Sequence, residues 1–232
     1  MKLSMIGPFA TLMLSVMLVA CGGGEDSSDV NQNRIYTEYE LFYNQNDDVT
    51  HVIARFRFGG RFGTLLELTT TSGASVSFNG VPLSYSLFWG AHHREYAGNV
   101  TSGTFIYTNA DGQVFTNDVP AGSAVGFPDG FDTISRSQAQ TLSWQGTALA
   151  PNDVVGVFVG SWAWGDDALF WNDSDGATGI VMGLNQLSNL PLGTAVVYMD
   201  RWNELNVEEG TSEGGRIRYK YRGENAVVTV VE

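Results

Sequence analysis

Short runs of Val, Ile, Tyr, Phe and Thr, cut every ten or so positions by Gly, Asn, Asp and Pro, fill residues 34–232. No helical period survives there beyond one or two turns. That rhythm specifies strands joined by tight turns, and it predicts an all-β fold. Within residues 51–58, Val52, Ala54, Phe56 and Phe58 alternate with His51, Ile53, Arg55 and Arg57, so one face of a strand turns to a core and the other carries charge. Asn79-Gly80 and Asn109-Ala110-Asp111-Gly112 sit between alternating runs and predict hairpins, because Asn and Gly accept the positive φ that such turns need. Pro120, Gly122, Gly126, Pro128 and Gly130 then cluster without periodicity, as expected of a boundary.

Beyond that cluster, strands are expected at residues 141–144, 154–159, 168–171, 179–182, 194–203, 216–221 and 226–231, with a helical turn within 184–190. This density of strands suits a sandwich. Leu187-Ser188-Asn189-Leu190-Pro191-Leu192-Gly193-Thr194 and the strands after it resemble the immunoglobulin-like or fibronectin type III-like modules of bacterial surface lipoproteins. The resemblance implies a fold and no activity. The expected architecture is all-β, two tandem immunoglobulin-like β-sandwich domains at 34–122 and 134–232 joined by a linker at 123–133.

The N-terminus carries an address. Lys2 precedes an apolar run over residues 9–19 interrupted only by Thr11 and Ser15, which has the layout of a secretory signal and is short for a membrane span. It ends in Leu18-Val19-Ala20-Cys21, which resembles the lipobox of bacterial lipoproteins. The resemblance implies cleavage after residue 20 and acylation of Cys21, with palmitate among the acyl groups. Cys21 is the only cysteine, so a free thiol in an oxidising compartment would thereby be capped. Several acyl chains together make a durable anchor. Gly22 rather than Asp after the cysteine resembles lipoproteins sent to the outer membrane. Residues 21–33 contain few apolar side chains and read as a flexible acidic tether spanning roughly 20 Å.

Removal of residues 1–20 takes Lys2 alone among the charges, leaving 11 basic against 25 acidic residues and a formal charge of −14. Nucleic acid and anionic headgroups repel such a surface. The expected partners are the membrane through acylated Cys21 and an envelope protein or polysaccharide, with no nucleic acid and no cofactor.

No catalytic set emerges. Gly210-Thr211-Ser212-Glu213-Gly214 matches the serine-hydrolase elbow, but a polar segment precedes it and a strand follows, so it reads as a hairpin loop. His93 and Glu95 share a strand face and with His51 could hold a metal; a solvated polar edge is the reading the residues favour. Asp173 and Asp175, ahead of Gly176, offer oxygen ligands for calcium but lack the closing glutamate of an EF-hand, and an Asp/Gly turn explains them.

Two surfaces are candidates for binding. Trp162, Trp164 and Trp171 crowd around Asp166 and Asp167, where flat rings beside carboxylates would suit a sugar; burial between sheets is the alternative. Arg216, Arg218, Lys220 and Arg222 recur at every second position, a cationic ladder that would grip a polyanion, or pair with Asp200 and Glu204 on the preceding strand. The function expected is that of a non-catalytic, membrane-anchored binding or structural module serving protein adhesion or assembly. The alternatives are glycan binding and, less favoured, a hydrolase using Asp166, Asp167, Asp173 or Asp175.

Overall fold

Alternation of apolar and polar residues decides how each strand faces in the computed structural model, which describes residues 24–69, 71–160 and 167–232. The first half contains β1 (Glu25–Asp26), β2 (Ile35–Asn44), β3 (Val49–Phe58), β4 (Thr64–Glu67), β5 (Ser75–Phe78), β6 (Val81–Pro82), β7 (Ser84–Ser86), β8 (Ala91–Ala97), β9 (Thr104–Thr108) and β10 (Val114–Asp118). The second contains β11 (Thr133–Ser135), β12 (Gln140–Ser143), β13 (Asp153–Gly160), β14 (Ala168–Asn172), β15 (Gly179–Met182), α1 (Leu184–Leu187), β16 (Gly193–Asn206), β17 (Gly215–Arg222) and β18 (Ala226–Val231). The fold is all-β. Both predicted hairpins form, with positive φ at Asn79, Gly80 and Gly112.

One sheet of 12 strands runs through the chain in the order β1-β4-β3-β2-β17-β16-β13-β14, with β7 and β8 attached beside β3 and with β11 and β18 beside β16. The halves expected as separate sandwiches therefore share a sheet. Their junction is the parallel pairing of β2 with β17, from Thr37 opposite Gly215 to Asn44 opposite Arg222. The segment 123–133 does not divide this sheet. Local signals place strands but not their order, because pairing between residues nearly 180 positions apart leaves no trace in either strand alone.

The inner face of the large sheet is predominantly apolar. Tyr39, Leu41, Val52, Ala54 and Phe56 in the first half and Val155, Val157, Val197, Met199, Ile217 and Tyr219 in the second are buried in one continuous core. Two smaller sheets cover it. In the sheet β10-β9-β5-β6, Phe105 stacks on Tyr39 at 4.7 Å and Tyr107 meets Phe56 at 4.6 Å. The pair β12-β15, with α1, adds Leu142, Ile180, Met182 and Leu187. Arg201 also points inward and is buried, its charge met by Asp153 and its remaining donors by the carbonyls of Thr147 and Ala148.

Residues 24–33, expected to be flexible tether, are instead docked on the first half. β1 pairs in parallel with β4, and Gly24 N donates to the Tyr85 hydroxyl at 3.1 Å. Gln32 is buried; its amide nitrogen donates to the carbonyls of Ser27 and Val30, and its oxygen accepts from Ala110 N. Polar side chains fix this segment, so its low hydrophobicity concealed its order. Cys21 lies outside the described residues.

Candidate functional site

Among the described residues, the outer face of the same sheet gathers the densest set of charged side chains. Residues paired across neighbouring strands point the same way, so register alone assembles rows of side chains. One row runs Trp202–Lys220–Phe42–His51–Glu95 across β16, β17, β2, β3 and β8. The next row begins Glu204–Arg218–Glu40 and ends at His93 opposite Ile53.

The cationic ladder of β17 lies in the middle of this face, flanked by acids on both sides. Arg216 reaches Glu38 at 2.9 Å and Glu204 at 3.0 Å; Arg218 pairs with Glu40 and lies 3.6 Å from Glu204. Lys220 meets Asp200 at 2.8 Å, and Arg222 holds both oxygens of that carboxylate through Nε and Nη2 at 2.7 and 2.8 Å. The cross-strand pairing with Asp200 and Glu204 is thus realised. Glu38 and Glu40 of β2, which sequence reasoning did not connect to it, complete the ladder, and their spacing of two was the available signal. At Arg216 and Arg218, each facing acids on two strands, a polyanion would have to displace these partners, so that end of the ladder is a structural zip; Lys220 and Arg222 share the one carboxylate of Asp200. Burial alone would raise the Glu38 and Asp200 carboxyls; the hydrogen bonds and charges of Arg216 and Arg55 at Glu38, and of Arg222 and Lys220 at Asp200, outweigh it and hold both below the ordinary carboxylate value.

Beside the ladder, the face dips into a groove of about 390 Å³ lined by Gly156, Phe158, Leu169, Tyr198, Trp202 and the Asp200–Lys220–Arg222 cluster. Gly156 creates it. Every other residue from Val154 to Val159 is Val or Phe, and a Cβ at Gly156 would come within 3.1 Å of the Trp202 ring. Isolated glycine in a strand marks close approach, which was the sequence cue for this site. Phe158 and Tyr198 face each other at 6.0 Å, and the Arg222 guanidinium lies 5.2 Å from the Tyr198 ring. Aromatic walls with a fixed charge cluster suit a ligand having both flat apolar faces and polar edges.

Of the expected aromatic platform, Trp171 stands on edge strand β14 with 64% of its surface exposed, and Asp167 is exposed just ahead of that strand. Trp162, Trp164 and Asp166 lie outside the described residues. Trp171 is opposite Gly156, so the sheet brings it to the side of the groove, a neighbourhood that Trp202 and Tyr198 share but spacing did not reveal.

Asp173 and Asp175 sit on an exposed turn closed by Ser174 N donating to Asn172 Oδ1 and by Gly176 at positive φ, the Asp/Gly turn expected as the alternative to calcium. Ser212, in the loop between β16 and β17, donates its hydroxyl to the carbonyl of Asn33, a docking role. Among the described residues, the group of His and acid side chains gathered closely enough for a metal is His51, His93 and Glu95. His92 points the other way, into the core, where its Nε2 accepts from Leu68 N.

No protein-family model matches the chain, and no curated protein matches it. Among solved structures it is similar to one described as giving structural insight into host cell surface retention of a 1.5-MDa bacterial ice-binding adhesin, at 14% identity and a TM-score of 0.28 over 84% of this chain. The matched region is 64% of that protein's chain, so this chain spans less than two thirds of it.

Proposed function

We propose that the chain is a lipid-anchored, non-catalytic binding module of the bacterial cell envelope that takes a glycan in the groove beside Trp202. The observation that carries this reading is the groove itself, an indole, a phenol and a phenyl ring around a fixed carboxylate–ammonium–guanidinium cluster on the sheet's outer face. Sugar rings offer flat C–H faces to the aromatics and hydroxyls to the charged groups. Two cations face one acid there, which favours sugars bearing a carboxylate.

Chemistry in the groove is disfavoured by Asp200. Arg222 and Lys220 contact both its oxygens and hold it below the ordinary carboxylate value, so it lacks the proton of a general acid. The anchor rests on Leu18-Val19-Ala20-Cys21, and acylation there would hold the groove at a membrane surface. A protein partner is the second reading, favoured by β14, an edge strand whose Leu169 and Trp171 are both exposed.

Titrating the full chain with neutral and uronate-containing polysaccharides, while following tryptophan emission, tests the glycan reading. A saturable change is expected with the acidic polymers and is expected to disappear in Trp202→Ala, with cooperative melting retained. Emission unchanged across the panel sinks the proposal.

A further inference from the structure

A second site lies at the opposite end of the Trp202–Lys220–Phe42–His51–Glu95 row. β3 and β8 run antiparallel with His51 directly opposite Glu95 and Ile53 opposite His93, so His93 and Glu95 present to one face and His51 approaches both. His51 Nδ1 lies 3.2 Å from His93 Nε2 and 3.5 Å from Glu95 Oε1, and His93 Nε2 lies 4.0 Å from the same oxygen. The same three atoms define all three distances. A point equidistant from them is about 2.1 Å from each, which is the length of a zinc–imidazole or zinc–carboxylate bond.

The surroundings hold the two imidazoles in place. Trp89 stacks on His93 with ring centres 4.6 Å apart and planes 25° apart, and it also contacts His51 at 4.9 Å. Phe42 covers the other side of His51 at 5.7 Å. Both imidazole side chains are largely covered, whereas the Glu95 side chain is 58% exposed. Two fixed nitrogens and an adjustable carboxylate that opens to solvent leave at least one coordination position facing outward.

We propose that His51 Nδ1, His93 Nε2 and Glu95 form a site for a divalent transition metal, with zinc as the ion best matched to two imidazoles and one carboxylate. The alternative is a direct hydrogen bond between two neutral imidazoles, in which Glu95 has no part. This site shares no residue with the glycan groove, so either proposal can fail without the other.

Calorimetric titration of the untagged full chain with zinc chloride, and of its Cys21→Ser form to remove the competing thiol, separates the two. One equivalent per chain is expected in both. Glu95→Gln, an exposed substitution that leaves the fold intact, is expected to weaken binding at least about tenfold, the loss that even an outer-sphere partner produces. His93→Gln should abolish saturable uptake, and cobalt added to the parent chain should give the visible absorption of a low-symmetry site. Absence of saturable zinc uptake overturns the proposal. So does uptake that is equal in the parent, Glu95→Gln and His93→Gln chains, which would mark an ion held by the general acidic surface.

Discussion

The Trp202 indole lies over Gly156 so closely that a Cβ there would fall 3.1 Å from Cζ3 and 3.3 Å from Cη2. The two residues are on adjacent strands, and the absent side chain at Gly156 leaves room for the edge of the indole and for the groove beside it. Gly156→Leu would force the indole off its seat and fill the groove. Saturable binding of an acidic polysaccharide is expected to weaken by about tenfold or more, equivalent to 1.4 kcal/mol, while circular dichroism retains the β signature. Undiminished affinity in that variant would place the ligand elsewhere.

Glu38 gives the clearest reading of the ladder's energetics. It is buried between Arg216 and Arg55, so Glu38→Ala leaves covered guanidinium charge short of a partner and is expected to cost about 3 kcal/mol in urea unfolding. Arg216 keeps Glu204, which prevents a larger loss. Arg34 with Glu213, 3.8 Å apart with the arginine side chain exposed and the glutamate half-buried, is the contrast: Arg34→Ala should cost less than about 1 kcal/mol. Equal effects would mean that burial does not set the worth of these pairs.

Acid should weaken the fold before its carboxylates titrate. Burial pushes His92 down to about 4, from an ordinary value of 6.5. Above pH 6.5 neither folded nor unfolded chain binds that proton; between pH 6.5 and 4 the unfolded chain binds it and the folded chain does not. Stability therefore falls as pH drops through this window, by about 3 kcal/mol in all. His93, held below its usual value by burial and by His51, adds to the slope in the same sense. Denaturant midpoints measured across this range should show the decline, and His92→Gln should remove most of it.

The junction of the halves can be tested at Gly215, where a Cβ would lie 2.4 Å from the Thr37 carbonyl oxygen. Gly215→Ala forces β17 away from β2 and is expected to destabilise by about 3 kcal/mol. Calorimetry should show one transition moving as a whole. A variant in which one half melts early while the other is untouched would argue that the halves fold separately.

The anchor is tested by growth with a palmitate analogue. Label is expected on the parent chain and absent from Cys21→Ser, with the variant released into the soluble fraction. Label retained by Cys21→Ser would refute acylation at that residue.

The strands themselves were legible because a half-buried strand writes its burial directly as alternation. His51 to Phe58 separate into an apolar and a polar set, and the turns at Asn79-Gly80 and Asn109 to Gly112 carry the residues that positive φ requires. The even spacing of Arg216, Arg218, Lys220 and Arg222 likewise announced a face and its acidic partners on β16. Strand order was decided only in three dimensions. Pairing of β2 with β17 joins Glu38 and Glu40 to the ladder, makes one sheet of two expected domains, and puts Trp202 in register with His51 and Glu95 across five strands. Alternation is a local property, read from neighbours two residues apart, whereas register between distant strands depends on which inner faces bury best together. Sequence thus determined which side chains face outward, and the tertiary structure decided which of them meet.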